Sequence, residues 1–218
     1  MGRRDVTLVT LSATYGAGGS EVGPALADHL GVPFVDRLIP SEVAAHLAVG
    51  LSAACSHDER PSGVLARLLT NLAPMAQLLG AEAPAAAPLA DRDFREKSER
   101  VVFERAESGQ AVILGRASAV LLRNDPRALH VRLDGPPEAR LRQAMRIQGV
   151  ERSVAERRMR ETDRARHAYV RHFHRADASD PAFYHLLIDS TAIDLALCVE
   201  IISLAAESRA RHAAQRAG

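Results

Sequence analysis

Short apolar segments alternate with helical segments along this sequence, and that alternation constrains the fold more than any other feature. Five segments have the short, apolar character of buried strands: in chain order, residues 6–12, 32–36, 111–115, 128–135 and 182–190. A helical pattern follows each of them. Strands that alternate with helices form a parallel sheet covered by helices on both faces. We therefore predict an α/β domain with a five-stranded parallel sheet, whose ligands bind at the carboxyl ends of the strands.

The composition excludes several classes of protein. The 218 residues carry a net charge of +1, which gives no general attraction to nucleic acid or to an anionic membrane. No apolar run reaches membrane-spanning length, and the first residues do not form a signal peptide. The two cysteines, Cys55 and Cys198, match neither a zinc site nor a disulfide framework. We expect a cytoplasmic protein with neither nucleic acid nor a membrane as its partner, as a monomer or a homodimer.

A glycine-rich turn joins the first strand to the first helix, in the stretch SATYGAGGSEVG. Gly16, Gly18 and Gly19 permit positive φ angles and a close backbone approach, so that successive N–H groups can point at one anion. The helix that begins at Gly19 or Ser20 adds the positive end of its dipole. The turn is therefore either a phosphate-binding loop or a tight structural turn.

Compared with the phosphate-loop pattern G-x-x-x-x-G-K-[ST], this turn keeps some positions and lacks others. Gly18 is the second glycine of the pattern, and Ser20 falls at the position whose hydroxyl ligates Mg²⁺. Ala13 stands in place of the first glycine and Gly19 in place of the lysine. Because Lys97 is the only lysine of the chain, phosphate chemistry here has to rely on arginines and backbone N–H groups.

Residues 140–175 are rich in arginine, and a long helix is predicted there at about residues 152–174. Three interpretations of this segment stay open. It is a solvated helix face, a nucleic-acid-binding surface, or a lid whose arginines surround a transferring phosphoryl group with fixed, bidentate geometry.

Charged residues also follow two of the predicted strands. Arg116 comes directly after the strand at 111–115, where it is either a surface arginine or a ligand for a substrate phosphate. Asp36 and Arg37 stand at the end of the strand at 32–36, where Asp36 is either a helix cap or a substrate ligand.

Four of these stretches together resemble a known family. SATYGAGGSEVG, LGVPFVD, VILGR and TDRARHAYVRHF occur in the order of the corresponding motifs of cytidylate kinase-like proteins, a branch of the nucleoside monophosphate kinases. The resemblance implies a P-loop kinase fold and an ATP-dependent transfer, with Mg²⁺, to a pyrimidine nucleoside monophosphate such as CMP or dCMP.

The resemblance also implies a role for individual residues. The loop expected to hold the ATP phosphates comprises Thr14, Tyr15, Gly16, Ala17, Gly18, Gly19, Ser20 and Glu21. The expected catalytic residues are Arg116, with Arg160, Arg164 and Arg166 in the lid and Asp163 orienting the lid arginines. The monophosphate acceptor is expected at Asp36, Arg37 and Arg116.

The predicted organisation is a single domain with a helical insertion and an arginine-rich helical lid. The core is expected at about residues 6–40 and 93–205, the insertion at 41–92 and the lid at 149–176. Compared with cytidylate kinases proper, Gly19 replaces the loop lysine, which the cytidylate kinase-like branch itself often lacks, and Ala117 replaces an aspartate that helps to hold the nucleoside.

These two departures leave two alternatives beside the CMP kinase. The chain is then a nucleotide-binding protein that acts through a partner without catalysis, or a kinase for another small metabolite. If it is an active kinase, we expect Arg116 or a lid arginine to supply the charge that Gly19 lacks.

Overall fold

The computed structural model describes residues 7–36, 91–115 and 117–216, and only the backbone of residues 91–98, 214 and 216. Most of the predicted insertion therefore lies outside the described residues, as do Arg37 and Arg116.

Five strands and six α-helices form the described part of the chain. The strands are β1 (Thr7–Ala13), β2 (Phe34–Val35), β3 (Gln110–Leu114), β4 (Ala128–Asp134) and β5 (Leu186–Asp189). The helices are α1 (Gly19–Leu30), α2 (Asp91–Glu107), α3 (Ser118–Leu121), α4 (Pro137–Gln148), α5 (Arg152–His174) and α6 (Leu195–Arg216). The predicted strands and the long arginine-rich helix are confirmed.

All five strands are parallel and lie in the order β2-β3-β1-β4-β5. In this order β1 is the central strand, and Leu11 is in register with Leu114 of β3 and with Val131 of β4. The carboxyl ends of β3, β1 and β4 therefore lie side by side. The predicted five-stranded parallel sheet is confirmed, and the glycine-rich turn leaves from its middle.

Helices cover both faces of the sheet. On one face α1 and α6 pack against the strands, and the core there includes Val9, Val131 and Ile202. On the other face α2 and α3 cover Leu8 and Ile113. Each fully buried side chain of this kind contributes about 1.5–3 kcal/mol relative to an exposed one. The central strand is thereby held rigidly beneath the turn that follows it.

Two details differ from the sequence prediction. The helix α3 directly after β3 was not predicted, because four residues are too short to show a helical period. The last strand is shorter than residues 182–190, since a 3₁₀ turn occupies Pro181–Phe183. The carboxylate of Asp180 accepts a hydrogen bond from the N–H of Ala182 and thereby stabilises that turn.

Candidate active site

The loop between β1 and α1 depends on two glycines in the left-handed region. Gly16 has φ 79° and Gly18 has φ 72°. A Cβ atom at Gly16 would overlap the carbonyl group of Arg140, and one at Gly18 would lie 2.6 Å from Cδ2 of Leu195. Glycine is therefore required at both positions by φ and by space. Gly18 is also the N-cap of α1, with no side chain to bind the first N–H groups of the helix.

The carbonyl oxygens of this loop are held from outside by side chains that are distant in sequence. Arg166 Nη1 donates to Ala13 O (2.6 Å), Arg140 Nη1 to Tyr15 O (2.9 Å), Gln143 Nε2 to Gly16 O (3.0 Å) and Ser190 Oγ to Ala17 O (2.8 Å). The donors come from α4, α5 and the segment after β5. Four carbonyl oxygens of the loop are therefore turned toward the protein.

The N–H groups of the same loop have the opposite arrangement. Among the described residues, none accepts a hydrogen bond from the N–H groups of Gly16, Gly18, Gly19 or Ser20. The C=O of one residue and the N–H of the next point in opposite directions in a trans peptide, so the fixed carbonyls of Tyr15 and Ala17 aim the N–H groups of Gly16 and Gly18 away from the protein. The N–H groups of Gly19 and Ser20 belong to the first turn of α1, where a helix has no acceptor of its own. Unpartnered N–H groups at a helix N-terminus form an anion-binding site.

One N–H group of the loop is already occupied by a carboxylate. Asp163 Oδ1 accepts from the N–H of Tyr15 (2.7 Å), and Asp163 Oδ2 accepts from Arg140 Nη1 (2.6 Å). Arg140 is 8% exposed while the Asp163 side chain is 27% exposed, so the guanidinium is shielded from water and the carboxylate only partly. The side chain of Tyr15 is also fixed, since its hydroxyl donates to Gln148 Oε1 (2.8 Å). Burial raises the pKa of that hydroxyl above its ordinary value.

The partners of Asp163 differ from those that we expected. We predicted that Asp163 orients the arginines of α5, but the structure pairs it with Arg140 of α4 and with the loop backbone. The difference arises from the side of α5 on which Asp163 lies. Asp163 lies on the side of α5 that packs against the loop, where its carboxylate balances the buried charge of Arg140.

The three predicted lid arginines do not share one environment. Arg166 lies against the loop and donates to Ala13 O. Arg160 and Arg164 are both exposed, and their spacing of four residues places them on one face of α5. Of the expected lid residues, the structure thus brings Asp163 and Arg166 to the glycine loop and leaves Arg160 and Arg164 on the solvent side.

A second carboxylate lies beside the loop at the end of β4. Asp134 Oδ1 accepts from the hydroxyl of Thr14 (2.8 Å), and Oδ2 accepts from Arg132 Nη2 (2.7 Å). Burial raises the pKa of Asp134, but hydrogen bonds from Arg132, Thr14 and the N–H of Gly135 outweigh it, so the pKa lies below the ordinary value. Asp134 is therefore ionised at neutral pH.

The remaining predicted residues lie near the same edge or outside the described part. Ser20 and Glu21 are exposed in the first turn of α1, and Asp36 is exposed directly after β2. Arg37 and Arg116 lie outside the described residues, but the N–H of Gly115 donates to Leu11 O at the end of β1. In the described ranges no group of three or more His, Cys, Asp or Glu side chains is placed to hold a metal ion.

Sequence reasoning missed Arg132, Asp134 and Gln143 as members of this site. Asp134 carries the same signal as Asp36, a carboxylate at the carboxyl end of a strand. Gln143 and Arg140 are polar residues on the buried face of α4, beside Leu141. A polar side chain on a buried helix face has to find a partner, and that is the signal by which both could have been singled out.

A comparison with models of known protein families matches the part of the chain that carries this candidate site. The model of the cytidylate kinase-like family matches residues 8–192, which include the glycine loop, β4 and α5. The chain belongs to the cytidylate kinase-like family. It is thus a kinase-like phosphotransferase with a P-loop kinase fold. A search of curated proteins gave no match to this cytidylate kinase-like chain.

Solved structures resemble this cytidylate kinase-like protein in fold. An uncharacterized protein from Eubacterium ventriosum is 17% identical with a TM-score of 0.62, covering 93% of this chain and 99% of its own. A gluconokinase from Sinorhizobium meliloti is also 17% identical, with a TM-score of 0.53, covering 99% of this chain and 100% of its own. Separately, none of the helices that the structure describes is long and apolar enough to cross a membrane.

Proposed function

We propose that this protein transfers a phosphoryl group from ATP to a pyrimidine nucleoside monophosphate, with CMP and dCMP as the first candidates. The observation that carries the proposal is the set of N–H groups at Gly16, Gly18, Gly19 and Ser20, which have no acceptor in the described part of the chain. Membership in the cytidylate kinase-like family supports the same chemistry.

The glycine loop would hold the β- and γ-phosphates of ATP. The N–H groups and the dipole of α1 favour negative charge at this point. Ser20 would offer its exposed hydroxyl to the Mg²⁺ that accompanies ATP, and Mg²⁺ would neutralise phosphate charge there. Since few protein ligands are needed when the phosphates themselves bind Mg²⁺, a single hydroxyl at this position fits the ion.

The acceptor would lie on the β3 side of the loop. The order β2-β3-β1 places the end of β3 beside the end of β1, from which the glycine loop leaves, and the end of β2 on the far side of β3. Asp36 and Arg37 follow β2, and Arg116 follows Gly115 at the end of β3. These residues would bind the acceptor monophosphate within reach of the γ-phosphate.

Positive charge for the transferring group would come from arginine, because position 19 is glycine. Arg166 is the lid arginine that the structure holds against the loop. We propose that Arg166, together with Arg116, stabilises the charge that develops during transfer. Arg160 and Arg164 would then serve only if α5 turns on binding nucleotide.

A protein that binds nucleotide without catalysis is the second candidate. It is favoured by the pairing of Arg140 with Asp163 and of Arg132 with Asp134, which leaves these two guanidinium groups already neutralised. Gly19 adds no charge of its own. Such a protein would keep the anion site and act through a partner.

An ADP-release assay separates the two candidates. The purified protein is incubated with Mg²⁺-ATP and with CMP, dCMP or UMP in turn, and thermal shift with the same nucleotides measures binding. ADP release that depends on one of these monophosphates is the expected result. Stabilisation by ATP without ADP release would instead favour the non-catalytic protein. No effect of ATP on the melting temperature would overturn both.

A further inference from the structure

Gln143 of α4 connects the glycine loop to the segment that follows β5. Its amide nitrogen Nε2 donates to Gly16 O (3.0 Å) and to Ser190 O (3.2 Å). Gln143 is 7% exposed, so neither bond is exchanged freely with water. Both neighbours of Nε2 are carbonyl oxygens, which accept only, and this fixes the orientation of the amide.

Ser190 is the other half of the connection. It is fully buried, and its Oγ donates to Ala17 O (2.8 Å). Gln143 thus holds the carbonyl of Ser190 while Ser190 holds the carbonyl of Ala17. Two successive carbonyls of the loop, those of Gly16 and Ala17, are bound by this pair of side chains.

Because of the geometry of the peptide group, these hydrogen bonds also determine where N–H groups of the loop point. Ala17 O and the N–H of Gly18 belong to one trans peptide and point in opposite directions. Ser190 therefore aims the N–H of Gly18 at the anion. Gly16 O shares its peptide with the N–H of Ala17, which donates to Thr14 O (3.2 Å) and closes the turn.

We infer that Gln143 and Ser190 are positioning residues that hold the glycine loop in its anion-binding conformation, through the bonds Gln143–Gly16, Gln143–Ser190 and Ser190–Ala17. The inference rests on the proposed function for the identity of the anion, the phosphates of ATP. Neither side chain touches the nucleotide. A positive-φ loop that lost these bonds would leave the buried carbonyl of Ala17 and the partly buried carbonyl of Gly16 without donors, and it would have several accessible backbone conformations.

The test compares four variants by calorimetric titration with Mg²⁺-ATP. Gln143→Leu removes the donor at similar volume, Ser190→Ala removes the hydroxyl, and Gln143→Lys keeps a donor at the same position. Arg142→Gln is the matched control on α4, because that side chain is 66% exposed and pairs with Glu138 on the surface of the helix. We expect Ser190→Ala, which removes one hydrogen bond to the loop, to weaken ATP binding about tenfold. Gln143→Leu, which removes two hydrogen bonds, should weaken it at least about tenfold.

The double variant gives the second readout. Because Gln143 and Ser190 act in one chain of hydrogen bonds, the loss in the double variant should be clearly smaller than the product of the two single losses. Gln143→Lys should bind ATP within about threefold of the parent protein. Equal affinity in parent protein, Gln143→Leu and Ser190→Ala would overturn the inference while leaving the proposed function intact.

Amide hydrogen exchange makes the result independent of the nucleotide. In the unligated protein, exchange of the Ala17 N–H, which donates to Thr14 O, should be faster in Gln143→Leu than in Arg142→Gln, because Gln143 binds the carbonyl of the same peptide. If the parent protein does not bind ATP, the proposed function fails, and unchanged exchange at Ala17 would then overturn the positioning role as well.

Discussion

Strands β1 and β4 carry two polar regions that differ in whether their hydrogen-bonding groups have partners within the protein. In the middle of the sheet, Thr10 of β1 stands in register with His130 of β4. At the carboxyl ends of the same strands, the glycine loop leaves β1 beside Asp134 of β4. In the first region the polar side-chain atoms have partners within the protein. In the second, the N–H groups of Gly16, Gly18, Gly19 and Ser20 have no acceptor among the described residues.

The His130 cluster shows how a buried polar group is satisfied internally. Nε2 of His130 lies 3.2 Å from Leu122 O, which only accepts, so Nε2 carries the proton and Nδ1 accepts from Thr10 Oγ1 (2.7 Å). The ring of His185 stacks on that of His130 at 4.9 Å, and its Nδ1 accepts from the backbone N–H of His130. Both ring nitrogens of His130 are thereby paired, which stabilises the fold and leaves this side chain no capacity for a ligand.

The glycine loop has the opposite arrangement, with N–H groups that lack partners. Side chains from three elements bind the carbonyls at positions 13, 15, 16 and 17, while the described residues offer no acceptor to Gly16, Gly18, Gly19 or Ser20. Donors without acceptors are costly in a folded protein unless a ligand or water satisfies them. Along the same pair of strands, the polar side chains of Thr10 and His130 thus serve the fold, whereas the unpartnered N–H groups of the glycine loop are available to a ligand.

The largest effect is expected from Gly16→Ala. The new Cβ would overlap the carbonyl of Arg140 at a position with φ 79°. We expect a loss of about 3 kcal/mol or more in the free energy of unfolding, and no ATP binding at concentrations that saturate the parent protein. Gly149→Ala is the control, because that glycine has φ 63° but nothing within 4 Å. It should lose only about 1–2 kcal/mol and bind ATP normally. Equal losses in both variants would mean that the loop is not tightly packed.

The second largest effect is expected from a substitution in α5, and it tests the role of this helix in phosphoryl transfer. Arg166→Ala should lower single-turnover phosphoryl transfer by roughly a hundredfold to a thousandfold, the usual effect of removing one group that stabilises transition-state charge. Arg160→Ala, on the exposed face of the same helix, should change it by less than about threefold. The reverse order would show that α5 rotates before transfer and would remove Arg166 from the proposed site.

The His130 cluster predicts a pH dependence of stability. Burial and the neighbouring His185 lower the pKa of His130 from 6.5 to about 4. The folded protein therefore binds fewer protons than the unfolded chain in this range, and stability falls as the pH falls. Between pH 7 and pH 5 this group alone should cost about 2 kcal/mol, measured by chemical denaturation.

A matched pair of variants isolates that contribution. His130→Gln keeps a donor and an acceptor but does not titrate, so its stability should change less between pH 7 and pH 5. His29→Gln, at an exposed position of α1, should keep the slope of the parent protein. A His130→Gln variant with the full slope would assign the pH dependence to other groups.

The smallest effect is expected outside both regions. Glu138 accepts two hydrogen bonds from Arg152, at 2.7 and 2.8 Å, but both side chains are 54% exposed. Exposed ion pairs are weakened by solvent and by the entropy of long side chains. Glu138→Gln should leave the melting temperature and ATP binding within experimental error. A clear loss of either would show that surface charge contributes to the site.

Much of the fold follows from local patterns in the sequence. The strand, glycine turn and helix between residues 7 and 30 have short-range signals that agree with one another, and so has α5. The site was predictable only where its residues stand at strand ends or within the glycine turn. Gln143 is 127 positions from Gly16, and no local pattern connects them.

The directions in which the side chains of α5 point could likewise not be predicted from local sequence patterns. The spacing of Arg160, Arg164 and Arg166 places the first two on one side of the helix and the third on another. Which side packs against the loop is decided by tertiary contacts, here those of Asp163 and Arg166. Sequence reasoning found the helix and its charges but not the direction in which each of them points.

The central claim is that the unpartnered N–H groups of the glycine loop bind the phosphates of ATP. It is tested most directly by following the backbone amide resonances during titration with Mg²⁺-ATP. The amides of Gly16, Gly18, Gly19 and Ser20 should shift together and saturate at one dissociation constant, while that of Gly149 stays in place. Saturating stabilisation by ATP with these four resonances unmoved would contradict the claim and place the nucleotide elsewhere.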